Sequence, residues 1–229
     1  MNFLLLHGGA GPMSVAGFAA LLSESAPAAR VVTPTHPGFD GTPRPPSLTT
    51  IPQLAAHYAA QLDELGLDDV CVIGNSIGGW IAAELGLLHS PRVSRLVIVD
   101  AVGIEAPGHP VADFFSLTFE QVVKVSYADP ARFASTPPPS AAENRKTLQV
   151  YAAAMEDPTL RARLTGIDVP TLVVWGEADG IADVSYGRAF ADAIPGARFV
   201  SLAGAGHLPQ IEAPDRLLKL VADFSDISL

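Results

Sequence analysis

The 229-residue chain is 48% hydrophobic and 17% charged, which is the composition of a folded globular protein and unlike that of a disordered chain. Its 24 acidic residues outnumber its 14 basic ones, for a formal net charge of −10. Because nucleic acids and anionic membranes bind basic surfaces, this charge argues against both as partners. Cys71 is the single cysteine, so an internal disulfide and a zinc site of several thiolates are excluded.

The first residues do not look like a secretory signal, which needs a basic start, a longer apolar run and a small-residue cleavage site. No apolar run approaches the roughly 18 residues that a membrane-spanning helix requires. We therefore expect a soluble, cytoplasmic protein that does not contact a membrane.

Short apolar runs alternate with Gly-rich turns and helical stretches along the chain. The runs occupy residues 3–6, 70–73, 96–99, 171–175 and 199–202. Short apolar runs without polar alternation are typical of strands covered on both faces. Because these strands alternate with helices, the pattern predicts an α/β protein with a parallel sheet.

Two of the helical stretches have clear ends. One runs from Thr50 to Gly66, a residue that favours helix C-termini. The other begins near Pro214, which fits the first turn of a helix. Each has one apolar face at a period near 3.6. The faces are formed by Leu54, Tyr58, Leu62 and Leu65 in the first and by Leu217, Leu220, Val221 and Phe224 in the second.

Residues 103–166 differ from the rest, because they hold several prolines and helical pieces but no clear buried strand. Since the strand pattern resumes afterwards, we interpret this region as a cap inserted into a core of residues 1–102 and 167–229. The alternative is a few helices packed on the sheet. Several aromatic residues of this region are candidates for contact with a substrate, or alternatively for the cap's own core: Phe114, Phe115, Phe119 and Tyr127.

The pentapeptide Gly74-Asn75-Ser76-Ile77-Gly78 lies between a predicted strand and a predicted helix. A sharp strand-to-helix turn strains its central residue and requires neighbours without bulk, which explains the glycines on both sides. The serine hydroxyl then lies at a helix N-terminus, where free N–H groups stabilise a developing anion. Ser76 is therefore the candidate nucleophile, against the alternative of an ordinary Gly-rich turn.

A serine nucleophile needs a base, and the base needs an acid that orients it. His207 follows the last predicted strand in a Gly-rich loop, and Asp179 follows the strand before it. Because the carboxyl ends of parallel strands share one sheet edge, both side chains are expected there. The competing acids are Glu177, Asp183, which we expect inside the next helix, and Asp100 after an earlier strand.

A tetrahedral oxyanion needs two backbone N–H donors. One donor belongs to Ile77, the residue after the nucleophile, and the second is expected at Gly9 in the Gly-rich loop after the first strand. The same loop would suit a phosphate, but the Gly-x-Gly-x-x-Gly pattern is broken by Ser14 and no Walker A motif is present. We therefore expect neither a cofactor nor a metal.

Together these features resemble the α/β-hydrolase fold superfamily over nearly the whole chain, and look like its serine esterase and meta-cleavage-product (carbon–carbon bond) hydrolase branches. The resemblance implies a mostly parallel sheet of about six strands flanked by helices, without the family's first hairpin, and a helical cap. It also implies the chain order Ser76, Asp179, His207 for nucleophile, acid and base. Residues 36–41 look like the family's loop after the second strand here, although Asp40 stands where many members have a small residue.

The expected activity is hydrolysis of a small-molecule carboxylic ester. A serine nucleophile is unlike the aspartate of haloalkane dehalogenases and epoxide hydrolases. One alternative is carbon–carbon bond hydrolysis, which usually requires an arginine near the acid; Arg161 and Arg163 are candidates, although solvated helix charges are the simpler interpretation. Another is a receptor for a hormone-like ligand. These remain open, because one fold hosts many chemistries.

Overall fold

Six parallel strands form one sheet in the computed structural model, which describes residues 1–133 and 136–227. The strands are β1 (Asn2–Leu6), β2 (Val31–Val32), β3 (Val70–Asn75), β4 (Val93–Val99), β5 (Thr171–Gly176) and β6 (Arg198–Leu202). Their order across the sheet is β2-β1-β3-β4-β5-β6, and every neighbouring pair is parallel. The predicted parallel sheet of about six strands is confirmed.

Helices connect these strands and flank the sheet. The α-helices are α1 (Met13–Ser25), α2 (Ile51–Leu65), α3 (Ile77–Leu87), α4 (Phe119–Ser126), α5 (Ala141–Tyr151), α6 (Leu160–Arg163), α7 (Val184–Asp192), α8 (Pro209–Glu212) and α9 (Pro214–Ser225). Short 3-10 turns occupy Phe39–Gly41, Phe114–Ser116, Pro130–Arg132 and Leu164–Gly166. Within the described residues, none of the helices combines the length and the apolar character needed to cross a bilayer.

The ends of α2 follow directly from its sequence. At the start, the Gln53 N–H donates to Thr50 Oγ1 at 3.3 Å, and the Thr50 N–H donates to Gln53 Oε1 at 3.1 Å. This reciprocal capping box satisfies two amides that the helix itself leaves unpaired. At the other end, Gly66 takes a left-handed conformation with φ 60°, which glycine adopts without steric cost. The predicted span of this helix is confirmed.

Both faces of the sheet are buried, which explains why its strands read as continuous apolar runs. In β3, Val70 and Val72 point into a cluster with residues of α2, α3 and α7. Cys71 and Ile73 point the other way, into a cluster with residues of α1 and α9. All six residues of β3 are buried. The nucleophile candidate therefore follows a strand that is fixed by packing on both sides.

The segment between β4 and β5 is helical, as expected, and contains α4, α5 and α6. Helix α5 is fastened to the loop at residues 36–41. The Asp40 N–H donates to Asn144 Oδ1 at 2.8 Å, and Asn144 Nδ2 donates to Asp40 Oδ1 at 2.7 Å. Thr147 Oγ1 donates to the Gly38 carbonyl at 2.8 Å. Asp40, which departs from the family pattern, thus pairs with a residue of the proposed cap.

Helix α6 is held to α3 by an ion pair. The Arg163 guanidinium donates two hydrogen bonds of 2.7 Å to the carboxylate of Glu84, which is buried in α3, and a third of 2.8 Å to Asp157. A bidentate pair of this kind fixes geometry as well as charge. The segment between β4 and β5 is therefore anchored at two places: α5 binds the loop at residues 36–41, and α6 binds α3.

We predict that Gly78 and Gly17, each within a helix, respond oppositely to substitution by alanine. A Cβ atom on Gly78 would lie 2.3 Å from the Leu6 carbonyl oxygen, so Gly78→Ala should lower the free energy of unfolding by about 1–3 kcal/mol. A Cβ atom on Gly17 meets nothing within 4 Å, so Gly17→Ala should raise it by about 0.5–1 kcal/mol.

Urea denaturation of both variants beside the unsubstituted protein measures the two changes. Equal effects of the two substitutions would contradict the close packing of α3 against the end of β1.

Candidate active site

Ser76 lies in the turn between β3 and α3 with φ 57° and ψ −121°, a conformation that non-glycine residues rarely adopt. Its N–H donates to the Val99 carbonyl at 3.0 Å, and its own carbonyl accepts from the N–H groups of Gly79 and Trp80. These bonds hold the strained residue in place. The side chain stands at the N-terminus of α3 and is 6% exposed.

The glycines around Ser76 are required by close backbone contacts. A Cβ atom on Gly74 would lie 2.0 Å from the Gly78 carbonyl oxygen. A Cβ atom on Gly8, in the loop after β1, would lie 2.9 Å from the Cβ of Ser76 itself. Because no side chain fits at either position, the predicted sharp turn is confirmed and the loop after β1 lies directly against Ser76.

His207 and Asp179 form a buried pair beside this turn. The Nδ1 atom of His207 lies 2.8 Å from Oδ2 of Asp179. The other carboxylate oxygen, Oδ1, accepts from the N–H groups of Ile181 at 2.7 Å and Ala182 at 3.2 Å. With the Nδ1 proton donated to Asp179, the Nε2 atom of His207 is left as an acceptor.

The side chain of Asn75 joins the loop of His207 to the turn of Ser76. Its Nδ2 donates to the His207 carbonyl at 2.9 Å, and its Oδ1 accepts from Gln210 Nε2 at 3.1 Å. All three side chains are buried. The residue before the candidate nucleophile therefore positions the candidate base.

The two expected oxyanion donors belong to the residue after Ser76 and to the loop after β1. Ile77 is the first residue of α3, where helix geometry provides no intrahelical acceptor for the N–H. Gly9 follows Gly8 in the loop after β1, and Leu148 of α5 packs on it, with Cδ2 2.8 Å from where a Cβ would stand. The arrangement is compatible with an oxyanion site at Ser76.

Two buried histidines support this loop, a feature that the sequence analysis missed. His7 Nδ1 donates to the Gly8 carbonyl at 2.7 Å, and His7 Nε2 accepts from the His36 N–H at 3.0 Å. His36 Nε2 donates to the His7 carbonyl at 2.8 Å, and Tyr58 donates to His36 Nδ1. Burial lowers the pKa of His7 to about 4 and that of His36 well below its usual value. Both rings are therefore neutral.

The end of α4 braces the loops of both the candidate acid and the candidate base. The Ser126 carbonyl accepts from the His207 N–H at 2.7 Å, and the Val125 carbonyl accepts from the Gly180 N–H at 2.8 Å. Glu212 accepts from the Gly206 N–H at 2.6 Å and from an amide just beyond α4. Residues of the predicted cap thus form part of the site's framework.

The competing acids occupy different positions. The expectation that Asp183 lies inside a helix is wrong, because it caps α7: its Oδ1 accepts from the Tyr186 N–H at 2.8 Å, and its Oδ2 pairs with His109. An aspartate there satisfies a free amide of the first helical turn. Glu177 accepts from the Ser201 hydroxyl at 2.8 Å. Asp100 differs, because it is fully buried and lies beside Asp179 and His207.

Asp100, Asp179 and His207 each present a possible metal ligand atom, and these atoms lie within 4.8 Å of one another. The Nδ1 atom of His207 and one oxygen of Asp179 are already engaged with each other. We therefore propose no metal there.

Three of the predicted substrate-contact aromatics pack against other residues of the same segment. Tyr127 stacks on Phe133 with ring centroids 4.9 Å apart. Phe114 and Phe115 meet edge to face at 5.6 Å, with the Arg145 guanidinium over both rings. These contacts are what the cap's own core would show. Substrate contact remains a prediction for Phe114, Phe115, Phe119 and Tyr127.

Comparison with known proteins identifies relatives over almost the whole chain. The model of the family described as "Alpha/beta hydrolase family" matches residues 3–220. The chain is 28% identical over 250 residues to the 2-hydroxymuconate semialdehyde hydrolase of Pseudomonas putida, covering 96% of this chain and 85% of that protein. It is also 28% identical over 251 residues to the pimeloyl-[acyl-carrier protein] methyl ester esterase of Aromatoleum aromaticum, covering 97% of both chains.

Solved structures show the same fold. A thermophilic esterase from Thermogutta terrifontis superposes with a TM-score of 0.79 at 22% identity, covering 98% of this chain and 89% of the other. The implied six-stranded sheet with flanking helices and a helical segment after β4 is therefore confirmed at the level of fold.

We predict that His7 makes the protein sensitive to mild acid. Its pKa is near 4 in the folded state because of burial and near 6.5 when unfolded. The unfolded state therefore binds more protons between these values, and stability falls as the pH drops through this window. Between pH 7.5 and pH 5 this group should cost about 2 kcal/mol of unfolding free energy.

Urea denaturation at several pH values measures this slope. His7→Asn should be less stable but should lose less stability on acidification, whereas His57→Asn, at an exposed position of α2, should retain the full slope. Identical slopes in all three proteins would contradict a neutral buried His7.

Proposed function

The chain belongs to the α/β-hydrolase family, and we propose that it cleaves small-molecule carboxylic esters through an acyl-enzyme on Ser76. That the chain is a hydrolase follows from the family. The observation that carries the finer proposal is the strained position of Ser76 at the N-terminus of α3, next to Asn75, whose side chain donates to the backbone of His207 in the buried His207–Asp179 pair.

In the proposed reaction, the Ser76 hydroxyl oxygen attacks the ester carbonyl carbon while Nε2 of His207 takes the hydroxyl proton. The C–O bond to the alcohol then breaks, and His207 returns the proton to the leaving alkoxide. Water, deprotonated by the same nitrogen, attacks the acyl-enzyme, and the acid leaves as Ser76 recovers its proton. Both half-reactions begin and end with a neutral imidazole.

Asp179 orients the imidazole in this proposal. Its Oδ2 accepts the Nδ1 proton of His207, while Ile181 and Ala182 donate to its other oxygen. Such donors stabilise the ionised carboxylate, which in turn stabilises the imidazolium that forms transiently. The N–H groups of Gly9 and Ile77 would donate to the oxyanion of the tetrahedral intermediates.

Carbon–carbon bond hydrolysis is the second candidate, because one of the relatives is named 2-hydroxymuconate semialdehyde hydrolase. The arginines considered for that chemistry do not favour it. Arg163 is bound to Glu84 and Asp157, and Arg161 is exposed. We therefore give preference to ester cleavage. A receptor for a hormone-like ligand would bind without appreciable turnover.

The proposal is tested by covalent labelling and by turnover of an ester panel. A fluorophosphonate probe should label the unsubstituted protein and not Ser76→Ala. Butyrate, phenylacetate and succinate monoesters should be hydrolysed only by the former. If the aromatics of the cap line the entrance, the succinate ester should be the poorest substrate, because burying an unpaired charge is costly.

Equal labelling of both proteins would exclude Ser76 as the nucleophile. Labelling without ester turnover, together with cleavage of a β-diketone, would favour the carbon–carbon hydrolase. Labelling without either turnover would favour the receptor.

We predict a large difference between two aspartates only four positions apart. Asp179→Asn should lower kcat by about 10⁴-fold with little change in melting temperature, because His207 is then held in the wrong tautomer. Asp183→Asn, at the N-cap of α7, should lower kcat by less than about tenfold. Steady-state kinetics and thermal melts of both variants measure this. Comparable losses would show that Asp179 is not the orienting acid.

A further inference from the structure

The carboxyl group of Asp100 is fully buried, and only one of its oxygens has a donor. It lies immediately after β4 with φ 43°, and its side chain is 0% exposed. Oδ1 accepts from the Gly176 N–H at 2.8 Å. No donor in residues 1–133 or 136–227 reaches Oδ2. A buried oxygen without a partner is costly, so this atom needs an explanation.

The titratable side chains that face Asp100 from neighbouring elements are two carboxyl groups and one imidazole. One ligand atom from each of Asp100, Asp179 and His207 lies within 4.8 Å of the others, and Glu212 of α8 adds a more distant negative charge. Beside a neutral His207 ring, two buried carboxylates this close are not both ionised, because solvent screens their repulsion little. One of the two must carry a proton.

The hydrogen-bond donors decide which carboxyl is neutral. Asp179 faces three of them, the N–H groups of Ile181 and Ala182 and the ring of His207. Asp100 has one, the Gly176 N–H. Since donors stabilise a carboxylate, the charge belongs on Asp179 and the proton on Asp100. In agreement, the pKa of Asp100 lies well above its usual value, because of burial first and the charge of Asp179 second.

We propose that Asp100 is a neutral carboxylic acid whose Oδ2–H donates a hydrogen bond to the Asp179 carboxylate. The chain of hydrogen bonds then runs from Asp100 through Asp179 to His207. This explains the unpartnered oxygen, because Oδ2 acts as a donor rather than an acceptor. Asp100 is accordingly a positioning residue, which acts on His207 through Asp179 and touches no reacting atom.

Two consequences follow, the second resting on the function proposed above. First, the folded protein contains a buried protonated carboxyl at neutral pH. Second, the Asp179 carboxylate divides its interaction between Asp100 and His207, so removal of the Asp100 hydrogen bond should strengthen the interaction of Asp179 with the imidazolium of His207. Asparagine at position 100 mimics the neutral acid, because it keeps an acceptor for Gly176 and a donor for Asp179.

Infrared spectroscopy tests the first consequence without any assay of activity. At about pH 7 the unsubstituted protein should show the C=O stretch of a protonated carboxylic acid. The band should be absent in Asp100→Asn and retained in the matched control Asp183→Asn, whose side chain is half exposed. Absence of the band from the unsubstituted protein, or its persistence in Asp100→Asn, would overturn the proposal.

Kinetics of two variants test the positioning role. Asp100→Asn should keep kcat/KM within about tenfold and leave the acidic limb of its pH profile in place. Asp100→Leu should lose about 10- to 100-fold, as expected for a lost hydrogen bond to a charged group. Its acidic limb should move to higher pH. If Asp100→Asn is as impaired as Asp100→Leu, Asp100 acts as an ionised acid and the proposal is wrong.

The two proposals fail in different ways. If the unsubstituted protein neither hydrolyses the ester panel nor reacts with the fluorophosphonate, the proposed function fails, and the carboxylic acid band still decides the state of Asp100. Should Asp100→Leu not fold, the infrared comparison and the pH profile of Asp100→Asn remain decisive.

Discussion

The close approach of three backbone segments around Ser76 is the constraint on which the rest of the structure depends. The turn after β3, the first residues of α3 and the loop after β1 meet where Gly74, Gly78 and Gly8 leave no room for a Cβ atom. Because both flanking layers bury the sheet, these segments cannot separate to relieve the strained φ of Ser76. The strain is maintained by packing, which is how such conformations persist at functional sites.

The segment between β4 and β5 is joined to the same framework from two directions. On one side Asn144 pairs with Asp40, and Leu148 packs on Gly9. On the other, the backbone at the end of α4 accepts from His207 and Gly180. Any displacement of these helices would therefore also displace the loops of the candidate base and of the oxyanion donors.

Much of this arrangement could be predicted from the sequence where a local pattern determines it. Gly74 and Gly78 flank a serine between an apolar run and a helix, and the order of strands brings Asp179 and His207 to one edge. Contacts between distant parts of the chain could not be predicted. Asp40 and Asn144 are 104 residues apart, and no periodicity records such a pairing. Strand β2 has two residues, which is too short for a pattern.

The wrong placement of Asp183 inside a helix has a different cause, because the signal for its true position, an N-cap, is local in the sequence. Aspartate is among the preferred N-cap residues, and the N–H three positions later at Tyr186 confirms this role. Its carboxylate is therefore already used to begin α7. The donors that each carboxylate accepts from distinguish Asp183 from Asp179. Asp183 accepts from an amide of the helix that it caps, whereas Asp179 accepts from two amides and an imidazole.

The distribution of donors also underlies the proposal that this buried site, with several titratable groups, carries a single charge. His7 and His36 are surrounded by groups that pair with the neutral ring, and burial keeps the pKa of each below its usual value. Asp100 has one amide, which is insufficient to hold a buried carboxylate ionised next to another. In the proposed arrangement the negative charge lies on Asp179, whose Oδ2 is 2.8 Å from Nδ1 of His207. Because Asp179 and His207 are both buried, a charge on Asp179 would stabilise the protonated ring of His207 at the moment when, in the proposed reaction, the ring accepts the proton from Ser76.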